Sequence, residues 1–185
     1  MLFRSVSLAA SVVHLTWGHA VVTSPTPRGS GDTQVATCGA AVTKKLLSDK
    51  AGPLENSLAV ADSDYDCNLF LCRGYQFEDN ANSVLALSEG DVVDFQVDII
   101  AGHRPGYANV SVVDTTKNEV IGEPLKTWPV WLTGAPGGDE ADFTVTIPED
   151  LPGDCATPGN CVMQWFWYAT GNKQTYISCV DFQLV

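Results

Sequence analysis

Hydrophobic and polar residues alternate along much of the second half of the chain. Val93, Phe95, Val97 and Ile99 are interleaved with Asp94, Gln96 and Asp98, the period of two that a strand shows when one face is buried and the other wet. Ala108, Val110 and Val112 repeat the pattern, Phe143, Val145 and Ile147 give another strand, residues 162–168 (VMQWFWY) a further one, and Val180, Phe182 and Leu184 mark the last. Upstream the text changes. From Ala20 to about Asn82 it is loop-like, with Pro25, Pro27 and several glycines, and only residues 40–48 suggest a short helix. Short strands separated by Gly, Pro, Asp and Asn, with no long helical period, predict an all-β, antiparallel β-sandwich with long loops. No internal repeat or low-complexity linker interrupts it, and no separate binding module or lipid anchor is expected after the last strand.

The first residues follow another rule. Arg4 precedes an apolar run from Val6 to Leu15, too short to span a bilayer, which reads as a secretory signal peptide over residues 1–18, removed to leave one domain, 19–185. No later segment approaches twenty continuous apolar residues, so neither membrane insertion nor a membrane partner is expected. With 185 residues, 45% hydrophobic and 17% charged, the chain has ordinary globular composition. Its net charge of −12 becomes −13 once Arg4 is lost, with nine basic residues against 22 acidic ones. Such a field repels nucleic acid and anionic lipid and fits a neutral partner such as a glycan, and it also serves simple solubility.

Six cysteines in an exported chain imply three disulfides. Short loops favour Cys67–Cys72 and Cys155–Cys161, which leaves Cys38 for Cys179. Zinc is disfavoured, because the spacings are not paired CxxC and only two histidines lie beyond the leader.

Those two, His19 and His103, carry the candidate chemistry; His14 sits inside the apolar leader. Cleavage after Gly18 makes His19 the terminal residue, whereas cleavage after Ala20 leaves Val21, and both cuts satisfy the small-x-small rule. A terminal histidine chelates metal through its amine and Nδ1. A second imidazole completes three nitrogens, a set that suits Cu(II). His103 falls in the loop between two alternating strands, at one end of the sandwich, where sites are commonly built; taken alone, a loop histidine is more often an ordinary surface or hydrogen-bonding residue. Gln174 and Tyr176 are two apart and share a strand face. The tyrosine could approach a metal axially and the glutamine bond an exogenous ligand, or the tyrosine could be a core residue with a satisfied hydroxyl.

The segments HAVVTSPTPRG, CNLFLCRGYQFEDN, GHRPGYANVSVVD, CVMQWFWYA and QTYISCVDF together resemble the fungal lytic polysaccharide monooxygenases, most closely auxiliary-activity family sixteen, over nearly all of the mature chain. The resemblance implies maturation at His19, an immunoglobulin/fibronectin-III-like sandwich and one copper ion on an exposed face. It also implies oxidative cleavage of a β-linked polysaccharide, cellulose first, driven by an external electron donor and dioxygen or hydrogen peroxide. Carried over by position, His19 and His103 are copper ligands, Tyr176 is the axial residue and Gln174 supports it, all four forming the catalytic set; Gln164 matches a QWxW element.

Asp139, Glu140 and Asp142 read as a solvated loop rather than as glycosidase carboxylates. Tyr107 is the first candidate for a substrate-facing surface, with Tyr75, Trp128 and Trp131 as others, although burial is the commoner fate of tryptophan. Asn109-Val110-Ser111 is an N-glycosylation sequon. The protein is expected to be secreted and monomeric. Two other functions fit parts of the pattern. A non-catalytic copper-acquisition protein would need an aspartate at the metal, and Asp181 lies an odd number of residues from Tyr176. A metal-free carbohydrate-binding sandwich would begin at Val21.

Overall fold

The computed structural model describes residues 18–132 and 139–185; apart from Gly18, the proposed signal peptide lies outside the described residues. The alternating segments form strands as expected, and three more strands join them. In chain order these are β1 (His19–Ser24), β2 (Leu85–Leu87), β3 (Val92–Ala101), β4 (Tyr107–Asp114), β5 (Glu119–Trp128), β6 (Asp142–Thr146), β7 (Cys161–Ala169) and β8 (Gln174–Leu184). They make a three-stranded sheet, β1-β3-β6, and a five-stranded sheet, β2-β8-β7-β4-β5. All pairings are antiparallel except β2 with β8.

β1, β2 and β5 escaped the pattern for physical reasons. β1 and β2 contain only six and three residues, too few for a period to emerge. β5 is a solvated edge strand carrying Gly122, Pro124 and Lys126, residues that blunt an edge but also erase the strand signature. The region expected to be loop-like contains the anticipated helix, α2 (Ala40–Ser48), flanked by α1 (Asp32–Cys38) and α3 (Leu54–Leu58).

The core has two compartments, which explains the near-continuous apolar run of β7. Between the sheets, Phe95, Val97, Phe143 and Val145 meet Val110, Val112, Met163, Trp165 and Trp167. On the outer face of the larger sheet, Val42, Leu46, Leu54 and Leu69 cover Val113, Val162 and Ile177. A strand buried on both faces has no polar alternation to display. Aromatic rings run edge-to-face from Phe143 through Trp128 and Trp131 to Trp165. Trp131 and Trp128 are therefore core residues, and Tyr75 is buried too.

The disulfides correct two of the three expected pairings. Cys155–Cys161 forms as expected, but the others are Cys38–Cys67 and Cys72–Cys179. Loop length favoured Cys67–Cys72, yet the backbone decides otherwise. The Asp66 amide donates to the Thr37 carbonyl at 2.7 Å, laying Cys67 beside the end of α1. Cys72 and Arg73 then take left-handed conformations (φ 52° and 62°) that turn Cys72 towards β8. Glu140 is a second correction: it is buried, whereas Asp139 and Asp142 are exposed as a solvated segment requires.

Candidate metal centre

One end of the sandwich gathers the start of β1, the loop after β3, the β7–β8 turn and the start of β8. Pairing of β1 with β3 sets His19 opposite Ala101, two residues before His103. Pairing of β7 with β8 sets Trp167 opposite Tyr176. Their rings stack with centroids 4.2 Å apart and 19° between planes, which fixes the phenol in the buried floor of the site. His103, 6% exposed, is its wall.

Gly18 fills the space between these side chains. Its amide nitrogen contacts His103 Nε2, and its carbonyl accepts a hydrogen bond from the Tyr176 hydroxyl at 2.9 Å. A Cβ there would run into His103, Tyr176 and Trp167, so the residue preceding His19 occupies a cradle that its removal would open. Gln174 Oε1 lies 3.1 Å from the same hydroxyl and offers an alternative acceptor. The two-residue spacing thus did place Gln174 and Tyr176 together, as strand geometry demands.

Three participants were not legible beforehand. Asp49 Oδ2 lies 3.1 Å from His19 Nε2, the Asn172 amide nitrogen is 3.1 and 3.2 Å from the two ring nitrogens of His103, and Trp167 backs Tyr176. Only Trp167 left a signal, as part of the aromatic segment. Asp49 and Asn172 are ordinary polar loop residues in the sequence, brought in from 30 and 69 positions away.

The remaining candidates lie elsewhere. Tyr107 is exposed but sits with Phe166 and Tyr168 on the outer face of the larger sheet, at centroid distances of 6.1 and 5.9 Å. Asn109 follows on that face, opposite Phe166, and is half-buried. Gln164 accepts from the Cys72 amide at 3.2 Å, beneath the Cys72–Cys179 bridge, and is structural. Asp181 faces away from Tyr176 and is bound bidentately by Arg28 at 2.6 and 2.7 Å. Copper acquisition through that aspartate therefore has no support.

The electrostatics suit metal nitrogens. Burial, and secondarily the charge of His19, pushes the His103 pKa below its ordinary value, keeping a lone pair available at neutral pH. Burial, reinforced by the carboxylates of Glu55 and Asp49, pushes the Tyr176 phenol far above its usual range. The hydroxyl stays protonated. The His103 shift has a measurable consequence. Above pH 6.5 His103 is neutral in both folded and unfolded chains; as pH falls below that value the unfolded chain takes up the proton first, so stability is lost. The melting temperature of the metal-free protein should decline between pH 7 and pH 5, and His103→Ala should flatten that slope. Asp79 and Asp114, whose pKa values are lowered, act only below about pH 4. A slope unchanged in His103→Ala would assign the loss to other groups.

Comparison with known proteins bears on the fold and the family. No curated protein matches the chain in sequence. Among solved structures, a chitin binding domain from Burkholderia pseudomallei, 10% identical, covers 91% of this chain and 100% of its own, with a TM-score of 0.52, and shares the fold. A Jonesia denitrificans lytic polysaccharide monooxygenase is 15% identical (90% and 100% coverage, TM-score 0.45). A Bacillus amyloliquefaciens CBM33 in complex with Cu(I) is 10% identical (90% and 100%, TM-score 0.46). The model of the family described as "Lytic polysaccharide mono-oxygenase, cellulose-degrading" matches residues 19–182. With a two-sheet sandwich and a family match over most of its length, the chain belongs to the lytic polysaccharide monooxygenases and is a copper-dependent oxidoreductase.

Proposed function

We propose that the chain is secreted, matured by cleavage after Gly18, and acts as a monomer on cellulose, with His19 and His103 holding copper and Tyr176 beside it. The observation that carries this reading is the convergence of His103, Tyr176 and Trp167 around the residue just before His19. The start of the family match at residue 19 supports the same terminus, as does the resemblance of the five sequence segments to auxiliary-activity family sixteen.

The donor set fits copper: the freed amine and Nδ1 of His19 with the neutral imidazole of His103 supply nitrogens only, the preference of Cu(II). When bound, the metal supplies one-electron redox chemistry, by which an external donor and dioxygen or hydrogen peroxide oxidise a C–H bond beside the glycosidic linkage. The protein's own contribution is positional. The Asn172 amide, 3.1 and 3.2 Å from the two ring nitrogens, holds His103 at the wall of the site. Tyr176, protonated and stacked on Trp167, closes the inner side of the site. Once Gly18 is gone, the Tyr176 hydroxyl donates its hydrogen bond to Gln174 Oε1, the remaining acceptor.

Incubation with phosphoric-acid-swollen cellulose, copper and ascorbate should release oxidised oligosaccharides detectable by mass spectrometry. His103→Ala should abolish them and weaken copper binding more than about a hundredfold, beyond what loss of a supporting hydrogen bond costs. Tyr176→Phe should retain copper. Oxidised products from chitin but not from cellulose would overturn the substrate assignment.

A further inference from the structure

The Asp49–His19 contact is part of a built device. Asp49 opens a turn, Asp49-Lys50-Ala51-Gly52, closed by the Gly52 amide donating to the Asp49 carbonyl at 3.1 Å. The Asp49 carboxylate folds back over Gly52 so closely that a Cβ on residue 52 would have to push it aside. The turn is pinned on both sides. Towards β1, the Ala20 amide donates to the Ala51 carbonyl at 3.1 Å. Towards the core, Arg73 donates from Nη1 to the Gly52 carbonyl at 3.0 Å and from Nη2 to the Asp49 carbonyl at 3.4 Å.

Arg73 is unusual in its own right. It is 2% exposed, and among the described residues no carboxylate pairs with it and its Nε finds no acceptor. A buried guanidinium committed to two carbonyls of one turn orients that turn rather than balancing a charge. It is itself set by the left-handed backbone at Cys72 and Arg73 and by the Cys72–Cys179 bridge to β8, the strand that carries Tyr176.

We infer that Asp49, held by the Arg73-clamped turn, is a positioning residue that fixes the ring orientation and tautomer of His19. The inference rests on the reading of His19 as a metal ligand. With Nε2–H donated to Asp49, the proton is kept off Nδ1. That nitrogen is the one able to close a six-membered chelate with the residue's own amine. Neither Asp49 nor Arg73 touches the reacting atoms.

The test uses protein matured at His19, in wild-type form and as Asp49→Leu, Asp49→Asn, Arg73→Lys and His103→Ala. Three quantities are read: copper affinity by chelator competition, the Cu(II) EPR spectrum, and the melting temperature without metal. Asp49→Leu should weaken copper roughly ten- to a hundredfold and alter the parallel hyperfine splitting. Asp49→Asn, which keeps an acceptor but not the charge, should lose less. Arg73→Lys, unable to bridge both carbonyls, should shift affinity in the same direction as Asp49→Leu. If Asp49→Leu lowers only the copper-free melting temperature, or changes nothing, while His103→Ala still abolishes binding, the positioning role is wrong and the His19–His103 reading survives. If His103→Ala binds copper as tightly as wild type, that reading itself fails and this inference falls with it.

Discussion

Protein that retains Gly18 ahead of His19 should fold normally yet bind copper at least about a hundredfold more weakly and release no oxidised oligosaccharides. Two effects act together. Joined to Gly18, the His19 nitrogen is an amide, whose lone pair is delocalised into the carbonyl and which coordinates metal only after losing a proton at considerable cost. Gly18 also fills the cradle, which places its own nitrogen, not that of His19, against His103 Nε2 and its carbonyl on the Tyr176 hydroxyl. Nothing in the two core compartments depends on it, so the melting temperature without copper should match that of the mature protein within a few degrees. The measurement is calorimetric titration with Cu(II) on both forms, paired with product analysis. Equal affinity and equal products would remove the terminal amine from the site. Glycine is the informative choice for the extra residue, because any larger one would clash with His103, Tyr176 and Trp167 and confuse strain with lost coordination.

Removing the Asp181 carboxylate should have the largest effect on stability. Asp181 and Arg28 have side chains only 1% and 5% exposed, and the guanidinium also reaches the carbonyls of Tyr75 and Gly159 at 3.3 and 3.4 Å. Through this arginine the loop after β1, the segment around Tyr75, the turn before β7 and the last strand meet at one point. Asp181→Ala leaves a buried cation without its partner, at a cost of about 3–5 kcal/mol. For a domain of this size that lowers the melting temperature by roughly 10 °C. Since the penalty comes from the stranded charge, the double variant Arg28→Met/Asp181→Leu should recover much of the loss. Denaturant unfolding of the wild type and both variants decides the matter. A loss below about 1 kcal/mol for Asp181→Ala would mean that water reaches the arginine and screens it.

Both expectations draw on parts of the molecule that differed in how far the sequence revealed them. Gln174 and Tyr176 meet because residues two apart on a strand must share a face, and Asp181, five positions from Tyr176, must face the other way; this parity is local and was readable. The same holds for β3 and β6, where one face is wet and the period of two is visible, and for α2. His19 and His103 stood out because only two histidines follow residue 18, and the loop position of His103 followed from the strands on either side.

What lay beyond reach depends on pairings between distant segments. The cysteines of the 67–72 loop are near each other in sequence, but left-handed backbone at Cys72 and Arg73 points them to opposite partners. Tyr107 lies near His103 in sequence, yet strand alternation carries its ring to the outer face of the larger sheet, on the other side from Tyr176. Asp49, Asn172 and Arg73 acquire roles only when a helix-rich segment is packed against the end of the sandwich and β7 turns into β8. Periodicity records which face of an element is buried, so it fixed the strands and the Gln174–Tyr176 pair. It carries no information on which two elements become neighbours, and the supporting shell of the site is made of such neighbours.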